Sequence, residues 1–139
     1  VNVVQMALEI FNEDYIQFSA LEDEIIAKLD KTQLIRVITN LVKNAIQAIP
    51  EEQEKKSVFV TVFREDNQVK IAVKDNGKGI SEENAIRIFE PKFTTKSSGM
   101  GLGLAIIKNI IENYNGTITF ESELNIGTEF LVSFPINKQ

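Results

Sequence analysis

Two pairs of alternating segments, each closed over a short turn, constrain the fold of this chain more than any other feature. Val58 to Arg64 and Gln68 to Asp75 alternate apolar and polar residues on either side of Glu65-Asp66-Asn67. Thr117 to Ser122 and Thr128 to Phe134 do the same around Asn125 to Gly127, and Pro135 closes the pattern. A period of two sends alternate side chains to opposite faces, and a short polar turn between two such runs reads as an antiparallel hairpin. Two helical patterns accompany the hairpins. Lys31 to Ile49 carries Leu34, Val37, Ile38, Leu41, Ala45, Ala48 and Ile49 on one face, with Asp30 as its cap and Pro50 as its stop. Leu102 to Asn113 is the second strong helix. Helices of this kind bury one stripe against a sheet. The predicted fold is therefore α+β: a two-layer α/β sandwich with a mixed, mostly antiparallel sheet and helices packed on one face.

The remaining segments are shorter. Val1 to Phe11 reads as a short helix, Tyr15 to Ala20 as a strand, and Glu24 to Leu29 as a second short strand. Glu51 to Lys56 is a charged connector. Ser81 to Ile88 is a short helix with Ser81 as cap, and Phe89 to Ser98 is an aperiodic loop. Asn115-Gly116-Thr117 matches a glycosylation acceptor, but with no secretory signal it reads as a hairpin turn. A length of 139 residues, 43% hydrophobic and 25% charged, fits one domain spanning 1–139. The Val1 start reads as a fragment of a longer protein or a processed chain.

Composition excludes several chemistries. The chain has no cysteine, hence no disulfide, thiolate metal site or Cys nucleophile. It has no histidine, hence no Ser-His-Asp triad and no histidine-held zinc. A net charge of −5 without a long basic stripe argues against nucleic acid as a partner. No apolar run is long enough to span a membrane.

Three segments point to a binding site. Gln33, Arg36, Asn40, Asn44 and Gln47 form a polar stripe on the long helix. Asn costs a helix roughly 0.5 kcal/mol or more relative to Ala, so two of them one turn apart suggest amide oxygens with something to bind; an amide-rich surface stripe is the equal alternative. Asp75-Asn76-Gly77-Lys78-Gly79-Ile80 ends a strand and turns at two glycines. It is not a calcium loop, because the twelfth position holds Ile86 rather than Glu. A carboxylate there would accept the amino hydrogen of adenine and repel the carbonyl of guanine; a plain Asp-Asn-Gly turn is the competing reading. Phe89 and Phe93 would anchor a flap in which Lys92, Thr94, Thr95 and Lys96 offer cations and hydroxyls to phosphate. Ser98-Gly99-Met100-Gly101-Leu102-Gly103-Leu104 follows. It lacks the preceding apolar strand of a dinucleotide fingerprint and the Gly-Lys-Ser/Thr ending of a P-loop, and fits a glycine-hinged lid over phosphates.

Together these segments resemble the ATP-binding catalytic domain of bacterial sensor histidine kinases, in the superfamily shared with gyrase-type and mismatch-repair ATPases. The N box looks like Asn40-Leu41-Val42-Lys43-Asn44-Ala45, and the first Gly box like Asp75 to Ile80. The F box looks like Ile88-Phe89-Glu90-Pro91-Lys92-Phe93, and the second Gly box like Gly99 to Leu104. Gly127-Thr128-Glu129-Phe130 through Phe134-Pro135 looks like the family's closing strand. The resemblance covers nearly the whole chain and implies an ATP-lid loop in the fold.

It also implies roles. Asn44 would bind Mg²⁺, and Asn40 would contact phosphate or a metal-bound water. Asp75 would read the adenine amino group, with Thr128 supporting it through water. Lys96 and the amides around Gly101 and Gly103 would hold phosphates. Gly77, Gly79, Ile80, Phe89, Gly99, Leu102 and Leu104 complete the nucleotide-binding set, and Asn40 and Lys96 are the catalytic pair. Gyrase-type relatives carry a water-activating glutamate where this chain has Asn40, so ATP should be hydrolysed poorly and its γ-phosphate kept for a protein. Ala48 stands where the family often has an aromatic to stack on adenine. The lid from Phe93 to Gly99 is short, as in the nitrogen-regulation branch. The implied activity is that of a protein-histidine kinase using ATP and Mg²⁺. The acceptor histidine would sit on a dimerisation domain upstream, with a response regulator downstream. The parent would be a homodimer and this piece a monomer, in the cytoplasm, with the parent open to inner-membrane anchoring. An anti-sigma-type serine kinase, an ATP-driven conformational clamp and a nucleotide-binding pseudokinase stay open as alternatives.

Overall fold

The computed structural model describes residues 16–20, 31–85, 88–89 and 100–135. The elements are β1 (Ile16–Ala20), α1 (Lys31–Ala48), β2 (Val58–Glu65), β3 (Gln68–Asp75), α2 (Glu82–Ala85), α3 (Met100–Asn113), β4 (Thr117–Glu123) and β5 (Gly127–Pro135). The expected helix over Val1 to Phe11, the strand over Glu24 to Leu29, the Asp30 cap and the segment Glu90 to Gly99 lie outside the described residues.

The five strands form one sheet in the order β1-β2-β3-β5-β4. β1 runs parallel to β2, and the other three pairings are antiparallel. The expected mixed, mostly antiparallel sheet is therefore present. Both hairpins form where the alternation placed them, with Asp66 at φ 56 and Asn125 at φ 66 in their turns. Asn and Asp tolerate that left-handed region better than most side chains.

The core lies between one sheet face and the helices. Val58, Val60, Val62, Val69, Ile71, Val73, Phe130, Val132 and Phe134 supply the sheet side. Val37, Ile38, Leu41, Val42, Ala45 and Ile49 supply the α1 side. Val42 is fully buried, so the apolar arc of α1 is wider than the stripe read from the sequence. The helix ends at Ala48, one residue before the expected end, and Pro50 follows, having no N–H to continue it.

The N-terminus of α3 differs from expectation. The helix begins at Met100, not Leu102, so Gly101 joins Gly103 inside its first turns. Two helical glycines cost about 1 kcal/mol each. Burial of Leu104, Ile107 and Ile111 offsets this, at about 2 kcal/mol per side chain. At the other end, Gly116 N–H donates to the Ile111 carbonyl (2.9 Å) and Asn115 N–H to the Glu112 carbonyl (3.0 Å). With Asn115 at φ 63 this is a Schellman closure, and the acceptor-like sequence there is a helix stop. Ser81 caps α2 as expected, its Oγ accepting the Asn84 N–H at 3.1 Å.

Candidate functional site

The inward-facing positions of three strands become polar at one end of the sheet. β3 ends in Asp75, β5 begins with Gly127 and Thr128, and β4 ends near Ser122. Asp75 pairs with Thr128 and Ser122 with Thr128 in the strand registers, so the three residues are adjacent. Their neighbours one slot back are Val73, Phe130 and Phe120, all of the core or packed against it.

Asp75 is only 5% exposed. Its Oδ1 accepts the Gly77 N–H at 2.8 Å. Burial pushes its carboxyl up from 3.8 to about 6, and bonds from the backbone N–H groups of Gly77 and Thr128 offset part of that rise. A carboxylate in this position loses most of its water and receives only part of the compensation. It therefore favours a further hydrogen-bond donor.

The loop after Asp75 is braced on three sides. Asn76 holds it to the α1–β2 connector. Its N–H donates to the Ser57 carbonyl (3.2 Å) and its Nδ2 to the Lys55 carbonyl (2.9 Å). Its Oδ1 accepts the Ser57 N–H (2.9 Å), and its carbonyl accepts from Gln53 Nε2 (2.9 Å). On the second side, Lys78 N–H donates to the Ala48 carbonyl at the end of α1 (2.9 Å). On the third, the Lys78 carbonyl accepts the Asn125 N–H (2.8 Å) and Ile80 N–H donates to Ser122 Oγ (2.7 Å). Two positions of the loop require glycine. A Cβ at Gly77 would collide with the Ala48 carbonyl and lie 3.0 Å from Asp75 Oδ1. Gly79 sits at φ 77 against the Glu123–Leu124 backbone. The expected turn at two glycines is present, and the backbones that approach it closely are those of Ala48 and of Glu123–Leu124.

Helix α1 brings the asparagine stripe to the same end. Asn40, Asn44 and Ala48 are spaced by four, so Asn44 stands about 6 Å along the axis from the Ala48 contact with the loop. Asn40 Nδ2 donates to the Arg36 carbonyl at 2.8 Å, which leaves its Oδ1 to accept. Asn44 is half-buried and makes no side-chain hydrogen bond with the described residues. An amide oxygen so placed is a hard ligand of the type magnesium takes, in a site where water and phosphate would supply the rest.

Phe89 acts as an anchor. Its ring meets Phe120 edge-on at 6.0 Å between centroids, Phe120 meets Phe130 at 5.6 Å, and Lys108 Nζ lies 5.1 Å from the Phe89 centroid. Ile88 beside it is buried in the core. Leu104 and Ile80 also face or touch the core, so contact with a nucleotide would fall to their backbones or exposed edges. Gly101, Leu102 and Gly103 occupy the first turns of α3, where helical N–H groups have no partner within the helix. Lys96 and Gly99, with Lys92, Phe93, Thr94 and Thr95, lie outside the described residues.

Sequence reading missed Ser122. The available signal was its position: Ile118, Phe120 and Ser122 alternate inward on β4, and a hydroxyl in the third apolar slot requires partners.

Comparison with known proteins agrees with this fold. Residues 29–138 match the family model described as histidine kinase-, DNA gyrase B- and HSP90-like ATPase. The chain is 40% identical over 124 residues to sporulation kinase A of Bacillus subtilis (strain 168), covering 89% of this chain and 20% of that one. It is 39% identical over 125 residues to sensor histidine kinase ZraS of Escherichia coli (strain K12), covering 90% and 26% respectively. The chain thus spans about a quarter or less of these relatives. Among solved structures, the nucleotide-free catalytic domain of histidine kinase ThkA superposes with a TM-score of 0.84 at 31% identity, covering 96% of this chain and 90% of that one. ThkA in complex with the response regulator protein TrrA gives 0.80 at 28% identity, covering 98% and 40%. On this family match and these identities, the chain belongs to the family of histidine kinase-, DNA gyrase B- and HSP90-like ATPases.

Proposed function

We propose that this chain binds Mg-ATP and presents the γ-phosphate to a histidine on a separate dimerisation domain, as the ATP-binding part of a two-component sensor kinase. The observation that carries the reading is Asp75: a buried, acceptor-only carboxylate at the strand ends, whose desolvation the Gly77 and Thr128 N–H groups offset only in part. It suits the amino group of adenine. Asn44 would hold the magnesium, which supplies charge neutralisation to the phosphates when bound. Asn40 would orient phosphate or water. The first-turn N–H groups of α3 at Met100 to Gly103 would face phosphate, favoured by the helix dipole. Lys96 and Gly99 would complete the phosphate side.

No step on this chain needs a general base, because phosphoryl transfer asks mainly for position and charge. Asn40, an amide tied to its own helix, cannot activate water at neutral pH. That separates this reading from an ATP-hydrolysing clamp of the same family. With no histidine in the chain, the acceptor must come from another domain. The similarity to sensor kinases makes a helical dimerisation domain the proposed donor of that histidine and a response regulator the proposed recipient. A serine on a protein partner is the alternative acceptor. No described helix is long and apolar enough to cross a membrane. Our reading places the domain in the cytoplasm.

Calorimetric titration with ATP and Mg²⁺ tests the site. Asp75→Asn and Asn44→Asp are each expected to weaken binding at least tenfold. Wild-type affinity in both variants would overturn the assignment.

A further inference from the structure

We propose that Gln53, in the connector between α1 and β2, is a positioning residue for the Asp75 carboxylate, acting through the single peptide unit that joins Asn76 to Gly77. The inference rests on the reading of Asp75 as the group that meets the base.

That peptide unit is held at both ends. Its carbonyl, from Asn76, accepts from Gln53 Nε2 at 2.9 Å. Its N–H, from Gly77, donates to Asp75 Oδ1 at 2.8 Å. The carbonyl and N–H of a trans peptide point in opposite directions across one rigid plane. A donor that fixes the carbonyl therefore aims the N–H, here at the carboxylate. The bond from Gly77 to Asp75 is a local Asx turn within the loop. Gln53 restrains it from outside the loop, and hydrogen bonds in a chain polarise and strengthen one another.

The donors and acceptors around Gln53 fit only one arrangement. Nε2 lies 2.8 Å from the Lys55 carbonyl and 2.9 Å from the Asn76 carbonyl. Both partners are acceptors, so the nitrogen of the amide must face them, and its two protons are both used. The Lys55 carbonyl takes a second bond from Asn76 Nδ2 at 2.9 Å, which fills its two lone pairs. The Gln53 N–H donates to the Pro50 carbonyl at 3.1 Å, just beyond the end of α1. The bond from Gln53 to Asn76 is partly buried, and a carbonyl that loses such a donor is not freely repaid by water. No charged side chain is among the causes that displace Asp75: burial raises its carboxyl, and the N–H groups of Gly77 and Thr128 lower it. Gln53 acts on the first of those two N–H groups.

Two variants separate the donor from the side chain that carries it. Gln53→Met keeps the length and removes the donor, whereas Gln53→Lys keeps a donor. In the ligand-free 139-residue chain, NMR follows the Asp75 carboxyl carbon through its titration. A weaker Gly77 bond favours the protonated acid, so the midpoint is expected to rise by about 0.3 pH unit or more in Gln53→Met. In Gln53→Lys it stays at or below the wild-type value. Calorimetry with ATP and Mg²⁺ at neutral pH is expected to show affinity lowered about threefold or more in Gln53→Met and held within about twofold in Gln53→Lys. A connector that is merely structural would lower stability and leave the Asp75 midpoint where it was. An unmoved midpoint in Gln53→Met overturns the proposal, as does an equal loss of affinity in Gln53→Lys. Should Gln53→Met not fold, Gln53→Ala removes the same donor and is judged by the same outcomes. Asp75→Asn is titrated with ATP in parallel. If it binds ATP as wild type does, the reading of Asp75 has failed. If it weakens binding while Gln53→Met binds as wild type does, only the Gln53 inference has.

Discussion

Asp75 should make the ligand-free domain less stable than it could be at neutral pH. Its carboxyl lies near 6 in the folded chain against 3.8 when free, the first cause being burial. The folded state thus holds the proton more tightly than the unfolded state. The contribution to stability is fully present below pH 3.8 and is lost as pH rises through 6. A displacement of about two units corresponds to about 3 kcal/mol above pH 6. Asp75→Asn removes the charge while its amide oxygen can still accept the Gly77 N–H. The value near 6 already includes the charge-assisted part of that bond and of the Thr128 bond, so their loss is not subtracted again. The variant should therefore be more stable than wild type by about 3 kcal/mol at pH 7.5, with no advantage at pH 3.5. Urea unfolding followed by circular dichroism at several pH values reads this difference directly, because effects of the other carboxylates cancel between the two proteins. A difference that stays flat with pH, or a less stable variant at pH 7.5, would refute the reasoning. The same substitution should cost ATP affinity, the usual exchange between a strained site and stability.

Other substitutions probe the frame around it. Gly79→Ala puts a Cβ at φ 77 against the Glu123 backbone and should destabilise the domain by about 2 kcal/mol or more, measured by thermal unfolding. Asn76→Ala removes two side-chain bonds to Ser57 and Lys55 and should cost about 1–2 kcal/mol in the same assay; a neutral result would show that the connector does not brace the loop. Asn40→Glu places a carboxylate one turn before Asn44 and should raise background ATP hydrolysis at least severalfold by phosphate release. No increase would remove Asn40 as the reason for slow hydrolysis.

Both hairpins, the body of α1 and the Ser81 cap were legible because each follows from local periodicity and turn chemistry. The start of α3 was not legible to the residue: it lies at Met100, not Leu102. Local propensity favours a loop at Gly101, and the burial of Leu104, Ile107 and Ile111 offsets the cost of carrying it in the helix. The ring partner of Phe89 was not legible for a similar reason: its sequence neighbours say nothing of Phe120, which stands more than thirty positions away and supplies the ring it packs on.

The sequence by itself determined the layers, the two hairpins and which residue types were available at each box, because these depend on spacing within a segment. Tertiary structure decided their chemistry. By inserting β5 between β3 and β4 it set Asp75 beside Thr128 and Ser122, and by ending α1 over Gly77 it closed water away from that carboxylate. Desolvation and hydrogen-bond direction are properties of neighbours in space. No spacing along the chain reports them until the strands have chosen their order.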